Sequence, residues 1–433
     1  MSNNFSERIY RDPIHNMIRL RTDTEEGRLL SSLIDTPEFQ RLRRIKQLGL
    51  ALFTYQGAEH SRFTHSLGVM HLACRIIEKL SLKYETAREN SVVAKCAALL
   101  HDVGHGAFSH VFEKILGFKH EDYTIQAIKS NDTAIGKALR SFSSELPEKV
   151  CAVIRGDFER KWVSQLISSH LDVDRMDYLL RDAYMTGVKY GIYDLDWLIE
   201  SIEIDLENDR IYVSSKGFHA VEDYLQARHY MFKQVYFHRN LRAAEVVLSS
   251  LIERAVDLVG EGKDVWFAED TPFEKILKRK ELTLDEHFQM DDSDVIFHIK
   301  KWQFAEDPIL ADLSRRFVNR QFFKAFDLDM DEKKKTDFLE RSREEVERAG
   351  FDSKYYFIKD IAKDEPYIKN QSKKEKAIFV EVGYSNPEIK EISQISSAIR
   401  GLQGYQIHRI CFPQEVKDAI SKIYKNGEGA FSN

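Results

Sequence analysis

The residues best able to do chemistry lie in LLHDVGHGAFSH, Leu99 to His110, where His101 and Asp102 are adjacent, His105 and His110 follow, and Gly104 and Gly106 interrupt the chain. The run SVVAKCAALL before it is apolar enough for a buried helix, so the His-Asp pair arrives where that helix ends against the interior. Burying a carboxylate is costly unless something compensates its charge, and a divalent cation suits neutral imidazole and ionised carboxylate together. Two neighbouring side chains would hold such an ion weakly. On other apolar helical patterns two more candidates stand out: His65 in RFTHSLGVMHLACRII and Asp174 in LDVDRMDYLLRD. A histidine taken alone is more often a satisfied structural group than a ligand, so His71, His170 and His229 receive no role.

The elements that must position these residues are mostly helical. RIYRDPIHNMIRL, residues 8–20, alternates around an Asp-Pro turn and reads as two short strands. Thr36 and Pro37 open a helix expected to run to Gly49, with Phe39, Leu42, Ile45 and Leu48 on one face. Leu67, Met70, Cys74 and Ile77 recur at spacings of three and four after His65. Helices are also expected over 92–101, 110–116, 120–127 and 135–155, and over VSQLISSHLDVDRMDYLLRDAYMTG with a loop near Asp172. DLENDRIYVSSK suggests a hairpin turning at Asn208-Asp209, followed by one long helix from Ala220 to Val259 that carries Arg228, Tyr236, His238 and Arg239. Helices near 271–280, 292–304 and 307–315 come next, then the charged DMDEKKKTDFLERSREEVERAG, whose default reading is a solvated helix face. YYFIKDIA, AIFVEV and YQIHRICF read as strands alternating with helices in EIKEISQISSAIRGL and QEVKDAISKIYK. The fold class expected is mainly α, with small hairpins and a smaller α+β lobe at the C-terminus.

Composition sets outer bounds. A chain of 433 residues with 43% hydrophobic and 31% charged residues can bury a large core. Its net charge of -6 gives no strong nucleic-acid signal. The four cysteines, Cys74, Cys96, Cys151 and Cys411, are far apart without CxxC spacing, which favours free thiols in a reducing interior over disulfides or a zinc cage. No apolar run reaches signal-peptide or membrane-spanning length, so no membrane partner is expected and the chain reads as cytoplasmic.

The order H, HD, D formed by His65, His101, Asp102 and Asp174 resembles the HD-domain metal-dependent phosphohydrolases. GAEHSRFTHSLGV, LLHDVGHGAFSHVFE, DVDRMDYLLRD and RHYMFKQVYFHR resemble, in order, segments of the dNTP triphosphohydrolases within that superfamily, over roughly residues 8–245. The resemblance implies an HD-domain helical core, one divalent metal (Mg, Mn, Fe or Zn), and hydrolysis of a dNTP to deoxynucleoside and inorganic triphosphate by water attack at the α-phosphorus. It implies that Arg62, Arg175 and Arg228 hold phosphates, that His105, His110 and His120 lie near the scissile bond, and that His120 or His110 relays a proton to the leaving oxygen. Glu113 stands where the family can place an aspartate beside its catalytic histidine. Tyr178 and Asp182 match groups that sense the sugar; Tyr236 and His238 flank the substrate, and Gln47 and Leu48 close the pocket. Asp35, Gln40 and Arg43 match a regulatory site between subunits that reads a guanine nucleotide, GTP or dGTP, which implies a homo-oligomer, a tetramer being favoured. Arg11 departs from the asparagine found there in an activated member.

On this reading residues 1–49 form an N-terminal hairpin and helix with regulatory and oligomer contacts, 50–250 the catalytic core, 251–335 a helical extension and 336–433 the α+β lobe. Two other functions compete with dNTP hydrolysis: an HD phosphohydrolase acting on nucleoside monophosphates or cyclic nucleotides, and a catalytically silent nucleotide sensor. Tyr178 with Asp182 favours a deoxyribose, and the three arginines favour a triphosphate.

Overall fold

The computed structural model describes residues 6–109, 111–113, 117, 119–364, 367, 376–383, 385–402 and 404–427. The chain is mainly α-helical with three small sheets. A hairpin pairs β1 (Glu7–Asp12) with β2 (Asn16–Arg21) across the Asp-Pro turn. β3 (Ile202–Asp205) and β4 (Arg210–Val213) form the second expected hairpin.

Helix Arg62–Ser81, which carries His65, lies against helix Ser91–Leu100, which His101 and Asp102 follow directly, and against helix Val173–Thr186, which carries Asp174. Their apolar faces bury Leu67, Met70, Ile76, Ala97, Leu100, Met176 and Leu179 in one core. Asp172 caps the third helix by accepting from the Arg175 amide at 2.8 Å, which fixes the start of the helix two residues before Asp174. A second core gathers helices Arg239–Gly260, Asp292–Trp302 and Pro308–Val318 with the sheet of β5 (Lys324–Asp327), β6 (Ile358–Asp364) and β9 (Tyr405–Phe412), in the order β5-β9-β6. Ala107, Phe108 and Phe112 belong to this second core, so the loop after the His-Asp pair bridges the two.

Gly104 is forced by close approach. A Cβ there would sit 2.2 Å from the His120 carbonyl oxygen and 2.4 Å from the Thr124 amide nitrogen, so only a bare backbone lets helix His120–Lys129 pack onto the loop.

Four expectations about elements are corrected. The helix expected over 135–155 is two, Ala134–Phe142 and Leu146–Arg155. The helix beginning at Pro37 ends as an α-helix at Gln40 and continues as a 3₁₀ turn over Arg41–Arg44, because Arg41 turns inward: Nε donates to the Met290 carbonyl at 2.6 Å and Nη1 to the His105 carbonyl at 2.8 Å. The single long helix after the second hairpin is two, Phe218–Met231 and Arg239–Gly260, joined by a π-turn over Phe232–Tyr236. The segment EIKE is β8 (Glu388–Glu391), paired with β7 (Phe379–Val382), and the two extend the β3-β4 hairpin into the sheet β3-β4-β7-β8. The helix expected over 110–116 falls partly outside the described residues. All four cysteines are free thiols, and no described helix is long and apolar enough to cross a membrane.

Candidate functional site

Two helices and the turn that ends a third bring His65, Asp174 and His101 to one point, with their ligand atoms within 4.8 Å of one another. His65 Nε2 lies 3.0 Å from Asp174 Oδ1, and His101 Nε2 lies 3.7 Å from the same oxygen. Asp102 completes the group, 3.4 Å from His101 Nε2 and 3.9 Å from His65 Nε2.

Hydrogen bonds fix the tautomers. His101 Nδ1 faces the Ala98 carbonyl at 2.8 Å, which can only accept, so Nδ1 carries the ring proton. His65 Nδ1 faces the carboxylate of Asp177 at 2.8 Å, with the same consequence. In the neutral rings both Nε2 atoms are therefore bare lone pairs, buried and without a hydrogen-bond partner among the described residues. Two bare imidazole nitrogens facing carboxylate oxygens repel unless positive charge lies between them. That donor set fits a hard or borderline divalent cation, with the second imidazole nitrogen of each ligand anchored as metal-bound histidines require.

The electrostatics point the same way. Burial disfavours the His65 imidazolium, yet the carboxylates of Asp174 and Asp177, which would accept from the charged ring and attract it, lift it to about 10. Asp102 is held well below the usual carboxylate range despite its burial, by the positive charges of His101 and Arg62 beside it. The centre thus calls for a cation, either a proton or a metal.

Beside it lies a second group. His105 and His120 stack with ring centroids 3.5 Å apart. Glu113 Oε1 lies 3.2 Å from His105 Nδ1 and 2.8 Å from His120 Nδ1, and His105 Nε2 is 3.3 Å from Asp102. Burial and then Arg62 push His105 down to about 4, so this ring is neutral at pH 7. His110 lies outside the described residues.

Of the three arginines, Arg62 donates to Asp102 at 2.5 Å and to the Ser109 hydroxyl at 3.0 Å, immediately beside the ligands. Arg175 is engaged by Asp172 and the Ser169 carbonyl at the start of its helix. Buried Arg228 lies over the Phe232 ring and close enough to influence the Tyr178 and Tyr236 phenols. Tyr178 follows Asp174 by one helical turn, its ring 6.5 Å from that of His65 and 6.2 Å from that of Tyr236. Asp182, a turn further, accepts from the Tyr236 hydroxyl at 2.8 Å through one oxygen and faces His60 Nε2 at 2.8 Å through the other. The Gln47 amide donates to the His60 carbonyl at 3.0 Å, with partly buried Leu48 beside it. His238 Nδ1 accepts from the Asn240 amide and so caps helix Arg239–Gly260.

Asp35, Gln40 and Arg43 come together on another face. Arg43 donates to Gln40 Oε1 at 2.8 Å and its charge reaches Asp35, which is bound by Arg8 at 2.5 and 2.7 Å.

Sequence reasoning passed over Asp177 and His60. Asp177 follows Asp174 by three residues on the same helix face, so helical phase alone could have flagged it. His60 precedes the helix of His65, and no periodicity marks it.

A helical scaffold that converges imidazoles with bare nitrogens and carboxylates on one point belongs to the class of divalent-cation centres used on phosphate esters. The HD domain family matches residues 62–182. The chain is 39% identical over 415 residues to Uncharacterized protein YwfO of Bacillus subtilis, covering 95% of this chain and 93% of that one. It is 31% identical over 267 residues to the deoxynucleoside triphosphate triphosphohydrolase SAMHD1 homolog of Dictyostelium discoideum, covering 58% of this chain and 50% of that protein. A phosphohydrolase from Bacteroides thetaiotaomicron superposes with a TM-score of 0.81 at 28% identity, covering 94% of this chain and 100% of that one. The chain belongs to the HD-domain superfamily of metal-dependent phosphohydrolases and resembles its dNTP triphosphohydrolases.

Proposed function

We propose that this protein is a dNTP triphosphohydrolase, converting a dNTP and water to deoxynucleoside and inorganic triphosphate. The observation that carries the reading is the line of Asp174, Tyr178 and Asp182 at four-residue intervals along one helix, which sets a ligand, a ring and a carboxylate side by side. His65, His101, Asp102 and Asp174 hold one divalent cation. That ion, when bound, supplies the positive charge that polarises phosphoryl oxygens.

Arg62, Arg175 and Arg228 bind phosphate oxygens, which planar guanidinium groups can grip two at a time. Arg62, which donates to Asp102, would be free to turn to a phosphate oxygen where that carboxylate would hold the ion. Water attacks the α-phosphorus and sheds a proton to solvent, the bond from phosphorus to O5′ breaks, and its electron pair leaves with O5′. His120, its Nδ1 held by Glu113 at 2.8 Å, delivers a proton to that oxygen through its other nitrogen, with His105 and His110 beside the scissile bond. Tyr178 packs under C2′ and excludes ribose. Asp182 exchanges one of its partners, His60 or Tyr236, for the 3′-hydroxyl. Gln47, Leu48, Tyr236 and His238 line the nucleoside end.

The same proposal assigns Asp35, Gln40 and Arg43 to a guanine-nucleotide effector site, GTP or dGTP, completed by a second copy of the chain in a homotetramer. It takes residues 50–250 as the catalytic core, between the regulatory segment 1–49 and the regions 251–335 and 336–433.

The test is an assay with Mg²⁺ or Mn²⁺ over the four dNTPs and their ribo counterparts, with and without GTP or dGTP. Inorganic triphosphate from dNTPs, lost in Asp174→Ala, supports the proposal. Orthophosphate from a monophosphate, or an opened cyclic nucleotide, overturns it in favour of another HD phosphohydrolase.

A further inference from the structure

We infer that the turn of the N-terminal hairpin, through Asp12 and His15, positions the ligand His65 for its metal by way of Asp177; the inference rests on the proposed metal centre.

An ionised carboxylate has about four acceptor positions, and Asp177 has four donors. Oδ1 takes His15 Nε2 at 2.7 Å and Arg181 Nη2 at 2.8 Å. Oδ2 takes Arg181 Nε at 2.7 Å and His65 Nδ1 at 2.8 Å. With every acceptor position filled, the carboxylate cannot rotate without breaking bonds, so its line to His65 is fixed. Arg181 is fixed in turn by Asp12 Oδ2, which accepts from Nη1 at 2.8 Å.

The hairpin turn is built to deliver these groups. Asp12 Oδ1 accepts from the backbone amides of Ile14 at 2.9 Å and His15 at 3.0 Å, so one carboxylate shapes the turn, sets His15 and holds Arg181. His15 and Asp177 are 162 positions apart in the chain. The side chains of Asp12, His15, Asp177 and Arg181 are at most 3% exposed. The two carboxylates and one guanidinium leave one buried negative charge, which a cation on the far nitrogen of His65 offsets.

The ligand's own helix leaves room for the network. A Cβ on Gly68 would lie 1.9 Å from Asp177 Oδ1 and 2.5 Å from Arg181 Nη2, so bare backbone one turn beyond His65 admits both groups. A salt-bridge cluster serving packing alone would stabilise the fold without touching ion affinity, and that difference is measurable.

Mn²⁺ is titrated into the full-length, metal-stripped protein and followed by electron paramagnetic resonance, with circular dichroism as a check of folding. Parent, His15→Ala, His15→Gln, Asp12→Asn and Asp174→Ala are compared. Loss of the group bonded to a ligating histidine weakens metal binding about 10- to 100-fold, and since His15 and Asp12 act one step or more behind that group, the low end, about 10-fold, is expected for His15→Ala and Asp12→Asn. The amide of His15→Gln can still donate to Asp177 and is expected to stay near the parent. Folded His15→Ala and Asp12→Asn proteins that bind Mn²⁺ as the parent does overturn the inference, as does failure of both to fold, which makes the network structural. A parent that binds no Mn²⁺, or an Asp174→Ala protein that binds like the parent, removes the metal centre itself, and this inference with it.

Discussion

Gly104→Ala separates the two halves of the site. The added Cβ meets the His120 carbonyl at 2.2 Å and Thr124 at 2.4 Å, both backbone atoms. Restoring an ordinary contact of 3.4 Å moves that carbonyl by about 1.2 Å, and the His120 ring moves with it. The His120–Glu113 bond, now 2.8 Å, then stretches beyond hydrogen-bond reach, and the stacking on His105 opens. A displacement of about 1 Å at a catalytic group can cost about 100-fold in rate, and overpacking typically costs about 1–3 kcal/mol of stability. The metal ligands His65 and Asp174 sit on other helices and are not pushed, whereas His101 and Asp102 lie three and two residues before Gly104 and feel part of the strain through Thr124, whose hydroxyl holds the His101 carbonyl and the Gly104 amide. The expected result is therefore a fall of about 100-fold in triphosphate release that exceeds any loss of Mn²⁺ affinity, read by product analysis and a Mn²⁺ titration on one preparation. A parental rate, or loss of metal binding in step with the rate, refutes the reasoning.

Other outcomes are expected. Tyr178→Ala opens the space beside the sugar, so the preference for dATP over ATP in kcat/KM should fall by about 10-fold or more while product identity is unchanged. Glu113→Gln removes the nearer of the two carboxylates facing His120 Nδ1, at 2.8 Å against 3.6 Å for Glu121, and should lower kcat with little change in KM, measured under saturating dATP. Burial raises Asp292 from 3.8 to about 6 even though it accepts from the amides of Lys46 and Phe108. A carboxyl whose folded value lies above its unfolded one contributes stability below about pH 4 and loses it as pH rises through about 6. Metal-free parent should therefore lose up to about 3 kcal/mol between pH 4 and 7 relative to Asp292→Asn in urea melts.

The helical core was legible because its apolar residues recur at helical spacing, and the adjacent His101-Asp102 pair after a buried run announced a charged group that needs compensation. His65 and Asp174 stood on similar patterns, and the structure brings both to that pair. Single residues with long-range partners were not legible. Arg41 lies within a sequence that reads as continuous helix, and only its bonds to Met290 and His105 explain why the helix stops. His60 meets Asp182, and His15 meets Asp177, across sequence separations of 122 and 162 residues. The segment EIKE carries charges at helical spacing, yet its pairing with β7 makes it a strand. Local preference yields to tertiary hydrogen bonding in each of these places.

Anomalous diffraction from crystals grown with Mn²⁺ would reveal whether the four proposed side chains, drawn from separate segments, hold one ion. The expected result is one peak about 2.0–2.3 Å from His65 Nε2, His101 Nε2 and oxygens of Asp102 and Asp174. A peak held by Asp102, His105 and His120 without His65 and Asp174, or no peak between the helices, contradicts it.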